Sequence, residues 1–275
     1  MTLKVLLGDY PATRALRSGQ LKASFPMQLA DVKLAHHAFK RVVRDLEFDI
    51  AELALVTYLL ARAHGKPYRL LPAVISARFQ HPFLVCNTER PVKPQELGGK
   101  RIGQRSYSVT TATWLRGILA DDCGVDLDSV RWTTFEEPHV AEFRDPPNVQ
   151  RAPAGKDIVS MLLAGEVDAA IMTDIPNDPR IKPVFADQAS AAAAWRQRTG
   201  ASIQINHMAV ARTSVPSTVS DEFMDLLSRS RQAADNPPMH PFGIEENRRN
   251  LEAAIDCVYR QKMIPRRFSV EELFA

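Results

Sequence analysis

Arg78 and His81 stand three residues apart, just after the apolar run 68–75. A guanidinium is a planar fork that grips a carboxylate through two parallel N–H groups, and histidine titrates near neutral pH. The pair therefore offers an anion clamp and a proton donor. The same residues also suit a surface arginine and a histidine that ties a loop together. His207 lies in the otherwise apolar Ile205-Asn-His-Met-Ala-Val-Ala211, either as a core histidine with its polar atoms satisfied or as a second proton donor. Glu52 follows the short strand expected at Phe48-Asp-Ile-Ala51. Burial there would raise its pKa and make it an acid; alternatively it pairs with a cation or caps the next helix. Ser108, Thr110 and Thr111 open a helical stretch. Free N–H groups and the helix dipole at such an end favour a carboxylate, although hydroxyls there also act as plain caps, Ser106 or Ser108 being the expected N-cap. Arg105 and Tyr107 precede the helix and add a positive charge and a phenol. Trp114 is assigned to the core and Arg116 to the surface.

The elements that must position these groups alternate between strand and helix, the pattern of an α/β fold with mostly parallel sheets. Strands are expected at 3–7, 23–29, 48–51, 68–75, 82–86, 100–103, 130–135, 169–172 and 203–211. Helices are expected at 34–46, where Leu34, Ala38, Val42 and Leu46 recur every four residues, and at 54–63, 108–120, 156–163, 189–198, 220–234 and 245–260. Pro237-Pro238 marks a break between the last two, and 136–153, rich in Pro and charge, reads as a long loop. In open α/β sheets the ligand sits beyond the carboxyl ends of the strands. That rule selects Asp9 and Tyr10, Glu52, the segment 76–81, the segment 105–111, Glu136 to His139, and Asp174.

Composition narrows the class further. The 275 residues are 45% hydrophobic and 24% charged, which excludes a disordered chain, a collagen-like fibre and a disulfide-dense mini-protein. Thirty-five Lys and Arg against 32 Asp and Glu leave +3, too mild a charge for wholesale phosphate binding, so nucleic acid is not an expected partner. Cys86, Cys123 and Cys257 are far apart and form no CxxC pair, as buried free thiols in a reducing compartment would be. The apolar stretch Val5-Leu6-Leu7 stops at Gly8-Asp9, too short for a secretory signal, and no run approaches the roughly 20 apolar residues of a membrane span. A cytoplasmic location without membrane insertion is expected. No GxGxxG, GxxxxGK[ST], HExxH or GxSxG occurs, and Glu136-Glu-Pro-His139 matches no metal-ligand spacing. No cofactor is expected, with a divalent metal left open. His36-His37 are adjacent, so at most one faces a site, and Arg248, Arg249, Arg260, Arg266 and Arg267 read as a solvated face.

The block Leu97-Gly-Gly-Lys-Arg-Ile-Gly103, the helix holding Leu115-Arg116, Gly124-Val-Asp126 and Leu163-Ala-Gly-Glu-Val-Asp-Ala-Ala170 together resemble the type II periplasmic binding-protein fold. The resemblance implies two α/β lobes, 1–84 plus 207–275 and 85–206, clamping a small ligand in the cleft between them. His207 then falls on a crossover. A narrower resemblance rests on Glu47-Phe-Asp-Ile-Ala-Glu52, Arg78-Phe-Gln-His81, Tyr107 to Leu119, Ile205-Asn-His207, Phe242 to Arg249 and Glu272-Leu-Phe-Ala275. These segments are similar to the 4,5-dihydroxyphthalate decarboxylase family.

That family implies a cofactor-independent decarboxylase of a phthalate-type, dihydroxylated or related carboxylate. Arg78, Arg105 and the 108–111 turn would hold the carboxylate that stays, and His81 or His207 would protonate the ring carbon. Glu52, Tyr107 or Asp174 would bond the hydroxyls of a catechol, with Tyr10 and His139 also lining the site. Self-association is common among such proteins. The alternative is a non-catalytic carboxylate-binding protein of the ABC-transporter solute-binding type.

Overall fold

The run Ile50-Ala-Glu-Leu-Ala54 is buried at all five positions, as a strand covered on both faces must be. It is one of the strands of a computed structural model that describes residues 2–234 and 239–275. Among the described residues the strands are β1 (Leu3–Leu6), β2 (Met27–Leu29), β3 (Ile50–Ala54), β4 (Tyr68–Ala77), β5 (Leu84–Asn87), β6 (Arg101–Gln104), β7 (Arg131–Thr134), β8 (Val149–Arg151), β9 (Ala169–Ile171), β10 (Ile181–Pro183) and β11 (Ile205–Arg212). The helices are α1 (Arg14–Arg17), α2 (Phe39–Val43), α3 (Leu55–Ala63), α4 (Thr110–Cys123), α5 (Ile158–Ala164), α6 (Gln188–Thr199), α7 (Ser217–Gln232) and α8 (Ile244–Arg260). None is long and apolar enough to cross a membrane.

The chain divides into two units, Met1–Arg78 with Ile205–Ala275, and Phe79–Gln204. The first unit holds a five-stranded sheet in the order β2-β1-β3-β11-β4. β1 runs parallel to β2 and β3, whereas the returning β11 is antiparallel to β3 and β4. Val5, Leu7, Ile50, Ala73 and Ala209 pack against Phe223, Leu226 and Leu227 of α7 on one face. The second unit holds a six-stranded sheet, β10-β5-β9-β6-β7-β8, in which β9, β6, β7 and β8 are parallel and β5 runs against β9 and β10. Met161 and Leu162 of α5 pack on Val85 and Ala170 of that sheet.

Several expectations are corrected. The strand expected at 23–29 shrinks to β2, because Pro26 has no N–H to give a ladder; only its carbonyl is used, accepting from Leu3 N at 2.9 Å. The helix expected over 34–46 is a 3₁₀ turn (Ala35–Ala38) followed by the short α2, and Leu46, at φ 50, lies in a conformation no helix passes through. The loop 136–153 contributes β8, and β10 pairs with β5 through a segment in which no strand was anticipated. The N-cap of α4 is Val109, with no side-chain cap, so neither Ser106 nor Ser108 fills that role. Arg116 is wholly buried: every α4 position from Thr110 to Leu119 is buried, leaving no solvent face for it to occupy. All three cysteines are free. The Pro237-Pro238 break lies outside the described residues.

Candidate functional site

The first unit gathers Tyr10, Glu52 and His207 at one end of its sheet. Glu52 sits in the middle of β3 rather than after its end, has no solvent exposure, and accepts three hydrogen bonds. Gly8 N–H donates to Oε2 at 2.8 Å, while the Tyr10 hydroxyl at 2.8 Å and His207 Nδ1 at 2.6 Å share Oε1. Sheet register explains the pairing. Glu52 lies opposite Ala209 and Ala54 opposite His207, so Glu52 and His207 are diagonal neighbours on one face, within reach of long side chains.

The loop after β1 is built to deliver its two donors. A Cβ on Gly8 would lie 2.5 to 2.7 Å from the Tyr10 ring and hydroxyl, so the absence of a side chain lets that ring lie across the backbone. Thr13 Oγ1 braces the loop, donating to Gly8 O at 2.6 Å and accepting from Tyr10 N at 3.0 Å. The Tyr10 hydroxyl is pushed far above its ordinary range, first by burial and then by the Glu52 charge, so it stays a proton-bearing donor; the nearby Arg78 guanidinium acts in the opposite sense. Arg78 follows the end of β4. The His207 side chain is 17% exposed, and Phe39 meets its ring edge-on at 5.1 Å. Among the described residues Nδ1 is the His207 ring nitrogen that is hydrogen-bonded, which leaves Nε2 for a ligand.

His240 was not picked out from the sequence. It begins a strap laid on β4, where Val74 N–H reaches Pro241 O at 3.3 Å, Gly243 N–H reaches Pro72 O at 2.8 Å, and Phe242 bridges Ala73. Burial first, and then Arg231, hold its imidazole below the usual range, while the charge of Glu52 pulls it back up. No periodicity or motif could have announced that proximity, because it depends on where an irregular segment settles.

The second unit assembles a different set around the β6–α4 turn. Ser106, Tyr107, Ser108, Thr110 and Thr111 are all buried there. Arg105 is half-buried, with its Nε 3.8 Å from Glu136, and its carbonyl ties down the Phe135 and Glu136 N–H groups. Arg116 donates from Nη1 to Gln104 Oε1 at 2.9 Å and from Nη2 to Thr113 Oγ1 at 3.1 Å. Its guanidinium lies 3.7 Å from the centre of the Tyr107 ring, which in turn stacks with Phe143. His139 is buried in the β7–β8 connection, and Asp174 is exposed beyond β9. His81 lies in a 3₁₀ turn before β5, is 1% exposed, and meets the Phe185 ring edge-on at 5.1 Å. Both its ring nitrogens are buried without a hydrogen-bond partner among the described residues, and burial pushes its imidazole down to about 4. Arg78 and His81 therefore belong to different units. No three His, Cys, Asp or Glu side chains among the described residues stand so as to hold a metal ion.

No protein-family model matches the chain. Over 212 residues it is 30% identical to a 4,5-dihydroxyphthalate decarboxylase of Comamonas testosteroni, a match taking in 72% of this chain and 64% of that protein's length. It is 28% identical over 209 residues to a 4,5-dihydroxyphthalate decarboxylase of Pseudomonas putida, covering 71% of this chain and 81% of the relative. Among solved structures, the alkanesulfonate-binding protein of Xanthomonas axonopodis pv. citri bound to MOPS matches with a TM-score of 0.59 at 12% identity, over 99% of this chain and 97% of its own. The periplasmic aliphatic sulphonate binding protein of Escherichia coli matches at 0.55 and 10%, over 100% of this chain and 92% of its own. The chain thus has the periplasmic binding-protein fold, and in sequence it resembles the 4,5-dihydroxyphthalate decarboxylases.

Proposed function

We propose that the chain is a decarboxylase of an aromatic, phthalate-type carboxylate, with His207 as its proton donor. The observation that carries this reading is the wholly buried Glu52 carboxylate, 2.6 Å from His207 Nδ1. A carboxylate so placed fixes the imidazole with Nδ1 protonated and stabilises the imidazolium, leaving Nε2 to give up a proton. In the reaction the bond from ring carbon to departing carboxylate breaks and its electron pair stays on the ring. CO2 leaves, and the proton on His207 Nε2 moves to that carbon; the neutral imidazole is then reprotonated from water. Arg78 holds the carboxylate that stays. His81, buried and held neutral at pH 7, suits this role less well than His207.

The proposal asks for no cofactor, since proton and anion-holding groups are the chain's own. Its three free thiols suit a reducing compartment, and the cytoplasm is the proposed location.

Incubation with a panel of aromatic dicarboxylates that includes 4,5-dihydroxyphthalate should release CO2 and, from that member, 3,4-dihydroxybenzoate in equal amounts. His207→Gln should lower turnover by about 10²- to 10⁴-fold, the usual share of general acid catalysis, while calorimetry shows binding retained. Tight binding without CO2 across the panel would overturn the reading and leave a carboxylate-binding protein.

A further inference from the structure

The β6–α4 turn carries two buried polar groups that the first unit's dyad does not explain. Gln104 is 0% and Ser106 1% exposed, and both Gln104 Nε2 and Ser106 Oγ lack a hydrogen-bond partner among the described residues. Buried donors are nearly always satisfied, so two left over within three residues of one another point to a missing acceptor. Gln104 is not free to choose which end of its amide it presents. Its Oε1 already accepts from Arg116 Nη1 at 2.9 Å, and a guanidinium has only donors, so the amide must keep its oxygen toward Arg116 and turn its NH2 away. A side chain at Gly103 would face Ile158 of α5, and side chains alternate along a strand, so Gln104 points to the other face, where Arg116 of α4 meets it. Arg116 is itself locked, by Thr113 at 3.1 Å and by the Tyr107 ring at 3.7 Å. Arg116 places a wholly buried positive charge behind the two donors; Asp145, whose carboxyl group that charge favours in its ionised form, is the chain's own anion set against it.

We propose that the second unit holds a carboxylate subsite made by the Gln104 side-chain amide and the Ser106 hydroxyl, with Arg116 as the positioning residue that fixes the amide's direction. The proposal concerns the second unit by itself and rests on the proposed function's reading that the ligand is a carboxylate. An oxygen of a carboxylate accepts from Gln104 Nε2 and Ser106 Oγ, and the guanidinium acts through Gln104 rather than by touching the ligand.

The test uses the full chain, benzoate as the anionic probe and benzamide as its neutral isostere. Benzoate should shift the Gln104 side-chain NH2 resonances of ¹⁵N-labelled protein in a saturable way, whereas benzamide should do so only weakly. Ser106→Ala should weaken benzoate about tenfold, and Gln104→Glu, which sets a carboxylate against a carboxylate, about 100-fold or more, each with an unchanged thermal melt. Arg116→Lys keeps the charge and frees the amide to turn. It should therefore reduce the ratio of benzoate to benzamide affinity at least fivefold, an effect that general loosening of the fold, which weakens both probes alike, would not give.

Saturable benzoate shifts at Gln104 without any CO2 release would retain the subsite and overturn the decarboxylase. CO2 release with no shift at Gln104, or a folded Gln104→Glu variant binding benzoate within twofold of the parent, would overturn the subsite, with water then satisfying these donors.

Discussion

Replacing Glu52 with Gln removes one charge and almost no volume, so its effect can be worked out bond by bond. If the amide oxygen stays toward Tyr10 and His207, its NH2 faces the buried Gly8 N–H, donor against donor, which costs about 1–3 kcal/mol. If the amide turns over, its oxygen accepts from Gly8 and its NH2 faces Tyr10 and His207, both able to accept. The second arrangement satisfies Gly8 and the amide itself, but it takes away the acceptor of the Tyr10 O–H and forces His207 to present a bare Nδ1 and carry its proton on Nε2. Three charge-assisted bonds become neutral ones, a loss of roughly 1 kcal/mol each, partly offset because a neutral amide is cheaper to bury than a carboxylate. Stability should therefore fall by about 1–3 kcal/mol in urea unfolding, leaving the variant folded. Decarboxylation should fall by about 10²- to 10⁴-fold, because the imidazolium loses its counter-charge. The ¹⁵N resonances of the His207 ring provide a readout that needs no substrate: once the ring is neutral, its remaining proton is on Nδ1 in the parent and on Nε2 in Glu52→Gln. A variant that keeps its rate, or one whose ring keeps the proton on Nδ1, would refute the assignment of the dyad.

Gly8→Ala places a methyl 2.5 Å from the Tyr10 ring, so the ring must swing off Glu52. Turnover should drop about tenfold or more while Tyr10→Phe in the same background adds little further, since the bond is already broken; additive effects would show that the ring does not move. His81 gives a pH prediction. Its folded pKa of about 4 lies below the ordinary 6.5, so between these values the unfolded chain binds more protons and stability falls as pH is lowered. The full difference approaches about 3 kcal/mol, reached near pH 4, with nothing lost above pH 7. His240, also held low, acts in the same direction, so the comparison of the parent with His81→Gln isolates the effect. Equal pH slopes in urea unfolding of the two proteins would show that His81 is solvated.

The alternation of strand and helix was legible because period-2 and period-3.6 patterns are local, and the segments around β3, β4, α3, α4 and α8 carry them plainly. The exceptions have physical causes that no pattern announces: Pro26 cutting β2 short, the positive φ of Leu46 barring a helix from running on to that residue, and the edge strands β8 and β10, three residues each, too brief to show a period. Arg116 was misplaced for a related reason. A charge on a helix normally marks the solvent face, but α4 is buried all round from Thr110 to Leu119, and Gln104, Thr113 and Tyr107 are among the partners that make burial of a guanidinium tolerable.

The dyad shows what long-range topology adds to residue types. Glu52 finds its donors 42, 44 and 155 positions away along the chain. They meet because the strand order β1-β3-β11 sets a loop from the N-terminal segment and a strand that follows the other unit in sequence on either flank of β3. Register then decides the chemistry. A slip of one residue between β3 and β11 would turn His207 to the opposite face and leave a buried carboxylate without its imidazole. Insertion or deletion of one residue in β11 before Met208 should therefore cost far more activity than a conservative change at any single contact. The apolar partners that pin this register, Leu53 against Met208 and Ala51 against Val210, thus hold the proposed acid in place.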